Sequence, residues 1–127
     1  MEELIRTLLK ADVTVMARAN GNVNFGSHPQ GTPWPGVVLY TIGDAEGHTL
    51  QGPSGLSTAR VQVDCIAKTY GSAKELSRAV RTVLDGHASA GLQGVFHAGT
   101  RDGREGGTNE ASRPFRVSLD FIVTYNN

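Results

Sequence analysis

The sequence predicts an α+β domain in which two helices cover one face of a mainly antiparallel sheet of about four strands. Apolar and polar residues alternate along Thr58–Tyr70 and again along 115–125, which is typical of strands with one buried face. Two other segments, at the start of the chain and after Ser72, carry apolar residues at helical spacing. The elements therefore follow the order helix, hairpin, helix, hairpin.

The composition indicates a single domain spanning residues 1–127, with room for one core. Twelve basic and twelve acidic side chains cancel, which gives no electrostatic reason to expect binding to nucleic acid or to an anionic membrane. No apolar run approaches the roughly 20 residues that span a bilayer, and the acidic start is unlike a signal peptide. A single cysteine cannot form an internal disulfide, so we expect synthesis in a reducing cytoplasm.

The first helix is predicted over residues 2–11, with two glutamates in its first turn, where they suit the helix dipole. Its apolar residues share one face: Leu4, Ile5, Leu8 and Leu9. Residues 13–19 are compatible with an extension of this helix or with a short strand. Asn20-Gly21 indicates a turn, and the proline-rich residues 26–36 are predicted to be irregular.

The second element is a strand at Val37–Ile42, followed by a glycine-rich connection, Gly43–Ser57. Hairpin loops usually span about 2–5 residues, so this connection is unusually long. The strand that it reaches has Ile66 and Tyr70 on its otherwise polar face, which indicates that part of this face is also covered.

The second helix is predicted to begin at Ser72 and to end near Asp85. Ser72 and Glu75 match a capping box, in which each side chain accepts a backbone N–H of the other residue. Gly86 suits the position that ends a helix.

A third strand is predicted at 92–98, and the last strand at 115–125 has Ile122 as the one apolar residue on its polar face. The connection between them, Gly99–Ser112, is long and polar. Five residues from the helix and the long strands should be nearly fully buried: Val63, Leu76, Val80, Leu119 and Phe121.

The sequence offers no recognisable catalytic, metal or cofactor site. The four histidines lie far apart and none has a second ligand at i+3 or i+4. Gly52-Pro53-Ser54-Gly55 lacks the spacing of a nucleophile elbow and suits a β-turn. Cys65 lies on an apolar face, as an inert buried thiol does. Asp64 and Asp120 are explained by cross-strand ion pairs with nearby basic residues.

The two long connections are the unexplained features, because loops beyond about 12–15 residues are usually functional or disordered. They are interpreted either as arms that contact another protein subunit or as flexible segments without such a role, and both interpretations stay open. As interface residues we predict the apolar residues on polar strand faces and the charged residues of the second loop: Ile66, Tyr70, Ile122, Arg101, Arg104, Glu105 and Glu110.

The order of motifs resembles the tail completion, or tail terminator, family of long-tailed bacteriophages and phage-derived gene transfer agents. Four stretches carry the resemblance, and together they cover most of the chain: MEELIRTLLKAD at the start, Pro35–Tyr40 after the proline-rich run, Arg60–Ala67 with Tyr70 and the helix bearing Leu76, Val80 and Arg81, and Ser118–Tyr125.

The resemblance implies a non-enzymatic virion protein without cofactors. Its expected partners are copies of itself in a six-membered ring, the tail tube protein and the head–tail connector, with no direct membrane contact and no sequence-specific nucleic acid. The ring would end tube polymerisation at the end of the tail nearest the head, after assembly in the bacterial cytoplasm.

A second hypothesis comes from a different class, since small α+β domains also serve as ligand-binding domains or enzymes. It requires a pocket enclosed by the 43–57 and 99–112 loops, with His48, Asp102 and Arg104 converging.

Overall fold

The computed structural model describes residues 1–29, 31–49, 52–89, 91–104 and 113–126, with the backbone alone for 44–49, 52–56 and 126. It contains three helices and five strands in these ranges. In chain order they are α1 (Glu2–Ala11), α2 (Val13–Ala19), β1 (Val23–Phe25), β2 (Gly36–Thr49), β3 (Gly52–Ala67), α3 (Tyr70–Leu84), β4 (Leu92–Arg104) and β5 (Phe115–Asn126).

The described strands form one sheet in the order β1-β2-β3-β5-β4. Strand β1 pairs with β2 in parallel, and the other three pairs are antiparallel. The α+β class and the predominance of antiparallel pairing are as predicted. The predicted four strands and two helices were too few, because neither β1 nor α2 has a distinctive pattern of its own in the sequence.

The helices pack on one face of the sheet, called here the inner face, and bury alternate residues of the four long strands. The strands and helices share a single apolar cluster. The five residues predicted for the core all belong to it and each is at most 2% exposed: Val63, Leu76, Val80, Leu119 and Phe121.

Residues 13–19, which the sequence left undecided, form the separate helix α2. Asp12 breaks the chain direction with an extended backbone, and its side chain accepts a hydrogen bond from the N–H of Val15 at 2.9 Å. The helix ends at Asn20, whose φ of 51° is left-handed, and Gly21 follows at 78°. The turn predicted at Asn20-Gly21 is thereby confirmed.

The N-cap of α3 is Thr69, and the prediction that Ser72 caps this helix was wrong. The Thr69 hydroxyl oxygen accepts a hydrogen bond from the N–H of Ser72 at 3.1 Å, which places Ser72 inside the first turn. Glu75 pairs instead with Arg18 of α2. The helix ends before Gly86, whose φ of 79° fits its predicted role.

The long connection predicted at Gly43–Ser57 is mostly strand. The register of β2 with β3 continues through Asp44 opposite Ala59 to Thr49 opposite Gly52, with bulges after Thr41 and Glu46. The first part of the predicted Gly99–Ser112 loop likewise belongs to β4, which runs to Arg104. Residues 105–112 lie outside the described ranges.

In the described residues, no helix is both long and apolar enough to cross a membrane.

Candidate subunit interface

The face of the sheet opposite the helices, called here the outer face, carries a row of linked polar side chains. Arg101 donates from Nη2 to Oδ1 of Asp120 at 3.0 Å and to Oε1 of Gln62 at 3.1 Å. Nη2 of Arg60 lies 3.7 Å from Oδ2 of Asp120. Gln62 in turn donates to Oδ1 of Asp64 at 2.8 Å. The predicted ion pair between Asp120 and a neighbouring basic residue is confirmed, with Arg101 as a second partner.

Burial is uneven along this row. Both aspartates are buried, and the side chain of Asp120 is 12% exposed, whereas those of Arg60 and Arg101 are 49% and 59% exposed. A buried carboxylate needs charged or hydrogen-bonding partners, and Asp120 has two guanidinium groups. Asp120 therefore holds both arginines in place while their guanidinium groups still face solvent.

Two apolar residues lie beside this polar row. Phe96 on β4 is 57% exposed and is in register with Ile122 of β5, which is partly buried. The ring of Phe96 lies over Gly94, since a Cβ at Gly94 would be 2.7 Å from the ring. The sequence predicted Ile122 on this face but did not single out Phe96, although the Gly-x-Phe spacing places a bare backbone position on the same strand face as the ring.

Ile66 is only 2% exposed, so it has little area to offer to a neighbouring subunit. Its register partner is Gly36, and a Cβ at Gly36 would be 2.5 Å from Nδ1 of His28. The ring of His28 stacks on Trp34, with 3.8 Å between centroids. The proline-rich segment therefore covers this end of the outer face, as the apolar residue on the polar face indicated.

Tyr70 is the first residue of α3, so the prediction that it continues the strand was wrong. Its hydroxyl donates to Oδ2 of Asp102 at 2.9 Å, and Nζ of Lys74 lies 3.0 Å from Oδ1 of Asp102. The hydrogen bond from Lys74, and then that from Tyr70, lowers the pKa of Asp102, while Asp102 raises the pKa of Lys74. This exposed cluster links the start of α3 to the end of β4.

The two arginines predicted at the interface lie in different settings. Arg101 belongs to the polar row, whereas Arg104 donates from Nη2 to the carbonyl oxygen of Arg113 at 2.6 Å and lies 4.0 Å from the centroid of Phe115. Arg104 thus ties the end of β4 to the start of β5. The predicted interface residues Glu105 and Glu110 lie outside the described ranges.

The described parts of the two segments that the second hypothesis requires lie at opposite ends of the sheet. His48 is in register with Pro53, and Asp102 is in register, through Val117, with Cys65. At about 3.4 Å per residue, Pro53 and Cys65 are separated by about 40 Å of the same strand. His48 therefore cannot converge with Asp102 and Arg104.

Two further titratable residues, Cys65 and His97, have surroundings that suit structural side chains. Burial, and secondarily the charge of Asp64, raises the pKa of the Cys65 thiol. A thiol in this state is a poor nucleophile. His97 is bonded through Nε2 to the hydroxyl of Thr100 at 2.7 Å. Within the described ranges, no three His, Cys, Asp or Glu side chains are grouped closely enough to hold a metal ion.

The family model for tail completion protein gp17 matches residues 3–126, and the chain therefore belongs to this family. It is a structural virion protein of the tail.

The fold is also similar to that of a solved structure. A chain in the virion of a native gene transfer agent particle superposes with a TM-score of 0.71 and is 22% identical; the match covers 97% of this chain and 92% of that chain. A comparison with curated protein sequences found no significant match.

Proposed function

We propose that this protein caps the tail tube as a ring, ends tube polymerisation and forms the surface that joins the tail to the head. Its partners would be further copies of the chain, six in a closed ring, together with the tail tube protein and the head–tail connector. It would act without catalysis or cofactors, at the end of the tail nearest the head, after assembly in the bacterial cytoplasm. The family match over 3–126 carries this proposal.

The topology of the sheet supports a role between two different partners. At one end of the sheet, β2 and β3 extend beyond the pair of Leu56 and Asn126 to the pair of Thr49 and Gly52. At the other end, Phe115 pairs with both Ala67 and Arg104, the last described residue of β4. A protein that contacts the tube on one side and the connector on the other needs contact segments at opposite ends.

The neutral overall charge and the paired outer face also fit a protein-contact role. Cyclic rings close through heterologous contacts, in which two different surfaces of each copy meet. The sheet has one edge at β1 and β2 and the other at β4, so each copy presents two different edges.

The direct test is to assemble tails in cells that lack this chain and to measure tail lengths by electron microscopy. The proposal predicts tubes of excessive and variable length that do not join heads, and restoration of uniform tails when the chain is supplied. Tails of normal length joined to heads in the absence of the chain would contradict the capping role.

A second experiment asks whether the β4–β5 connection is a contact segment. Residues 105–112 are replaced by a tight turn, which leaves the paired strands intact because β4 ends at Arg104 and β5 begins at Phe115. We expect an unchanged melting temperature together with over-long tubes or tails that fail to join heads. Uniform, head-joined tails would exclude this segment from the contact.

A further inference from the structure

We propose that neighbouring copies in the ring overlap through opposite edges of their sheets. The outer face of β4 in one copy, with Phe96 and Arg101, lies on a cavity at the inner face of β2 in the next copy. This inference rests on the proposed ring and identifies the surfaces that close it. The occupant of the cavity is therefore a second copy of this chain.

The first surface carries an exposed aromatic ring and a positive charge on the same face of β4, at register positions four residues apart on β5. Phe96 is held against Gly94 of its own strand and remains more than half exposed. Arg101 lies further along β4, where Asp120 and Gln62 hold its guanidinium group. Side chains that are held in one conformation before binding lose less entropy when a partner arrives. Aromatic residues and arginines are also enriched at protein interfaces.

The second surface is a cavity of about 450 Å³ beside the opposite edge of the sheet. Its floor is formed by inner-face positions, including Leu39, Thr41 and Val61, and Phe25 forms a wall. Glu2 and Glu3, from the first turn of α1, also line it. The cavity lies where β1 ends at Phe25 while β2 continues to Thr49, so among the described residues the β2 edge on the β1 side has no strand partner beyond Leu39.

The two surfaces have complementary charge and shape. The β4 surface offers a protruding ring and the exposed guanidinium group of Arg101, which Asp120 holds. The cavity offers an apolar floor and the carboxylates of Glu3 and Glu2, the latter 3.7 Å from the N-terminal amine. Neither surface is complementary to itself, so the contact is heterologous, as a closed ring of several copies requires.

The positions of the surfaces along the strands also agree. In the proposed ring the strands run along the ring axis. A rotation about that axis preserves the height and the radius of every atom, so in this arrangement two edges that meet must carry their contact residues at the same strand level. Through the register of β3 and β5, Thr100 lies level with Leu39 and His97 lies level with Thr41. Phe96 and Arg101 flank these two levels on β4.

The arrangement of faces specifies how the copies meet. Phe96 is on the outer face of β4, and the cavity opens on the inner face near β2. The two edges must therefore overlap, so that the outer face of β4 in one copy packs on the inner face of β2 in the next. If the two edges instead paired to form one continuous sheet, the phenyl ring of Phe96 would not reach the cavity of the next copy.

Disulfide trapping tests this contact. Gly99→Cys places a thiol on the outer face of β4, where a Cβ meets open space, and Thr41→Cys places one at the cavity. The two sites are three strand spacings apart within one chain, about 14 Å, which is too far for an intrachain disulfide. Val13→Cys combined with Gly99→Cys is the matched control, since Val13 is 84% exposed on α2.

The double variants are supplied as the sole source of the chain, and assembled tails are oxidised with diamide and analysed on non-reducing gels. The inference predicts a ladder of covalent multimers up to the size of the ring for Thr41→Cys with Gly99→Cys, and monomers for the control pair. If rings are present on the tails but the oxidised double variant gives only monomers, this contact is wrong and the proposed ring is unaffected. A ladder from the control pair would overturn its specificity. Tails that contain no multiple copies of the chain would overturn the proposed function and this contact together.

Discussion

The two faces of the sheet are built on different principles, although they share the same strands. The inner face consists of tightly packed apolar side chains, Cys65 and Phe121 among them, and three helices cover it. The outer face carries linked charges, with Asp120 between two arginines, and an exposed phenylalanine. The inner face is therefore defined by the close packing of its side chains. The outer face is defined by ion pairs and by the side chains that stay exposed.

Because of this difference, substitutions on the two faces should affect different properties of the protein. A change on the inner face removes packing and lowers the stability of the single subunit. A change in the exposed part of the outer face should leave the subunit folded and affect only its contacts with other proteins. Substitutions of matched chemistry on the two faces are accordingly the way to test the account.

The largest expected effect is that of Phe121→Ala, compared with Phe96→Ala. Phe121 is 1% exposed in the core, so its truncation should lower the free energy of unfolding by about 3–5 kcal/mol. Phe96→Ala should lower it by less than about 1 kcal/mol, because more than half of the ring already contacts solvent. Urea denaturation of both variants measures the contrast. Equal losses would contradict the assignment of the two faces.

An intermediate effect is expected from Asp120→Ala, which removes the shared partner of Arg60 and Arg101. The loss should be about 1–3 kcal/mol, the range for hydrogen bonds to charged groups, and no larger, because both arginines can regain water. Asp120→Asn is the control, since it keeps an acceptor oxygen and should lose less. A loss near zero for the alanine variant would mean that the polar row contributes nothing to the fold.

Thr69→Ala tests the end of the helix that covers the inner face. The Thr69 hydroxyl satisfies the N–H of Ser72, and removing an N-cap of this kind costs about 0.5–2 kcal/mol. Ser72→Ala should have the smaller effect, because Ser72 lies within the first turn. Thermal denaturation distinguishes the two, and a larger loss at Ser72 would restore the capping box as the true start of the helix.

The smallest effect is expected at the exposed Asp102 cluster, and it depends on pH. Because the pKa of Asp102 is lowered in the folded state, its contribution is present above the ordinary carboxyl pKa of about 3.9. It is lost as the pH falls through the lower folded-state pKa. Asp102→Asn should thus be slightly less stable than the wild type near pH 6, with the difference vanishing in acid. A difference that grows in acid would contradict the proposed pairing with Lys74 and Tyr70.

The sequence predicts the core of this fold well because the core depends on local periodicity. The α1 and α3 helices, the central strands and the five core residues all follow from apolar spacing. The 43–57 hairpin was missed because its glycines, proline and polar residues have low β-propensity, and its pairing is imposed by neighbouring strands. Strand β1, at three residues, is too short to show alternation.

The candidate interface was predictable only in part. The sequence predicted Ile122 for the polar face of its strand, and the structure places it there, but the sequence cannot show that His28 and Trp34 fold back over the end of the sheet near Ile66. It also places Phe96 among ordinary strand residues, because side-chain exposure depends on which elements cover each face. Periodicity assigns residues to faces, whereas tertiary packing determines which face stays open.

Two charge variants, compared by tail length, test whether the outer face takes part in tail assembly. Phe96→Asp places a charge on the outer face, and Val13→Asp places the same charge at an exposed apolar site on α2. Both chains are first shown to melt like the wild type and are then supplied as the only source of the protein during tail assembly. The account predicts over-long, unjoined tubes with Phe96→Asp and uniform, head-joined tails with Val13→Asp. Uniform tails with Phe96→Asp would contradict the assignment of the outer face to assembly.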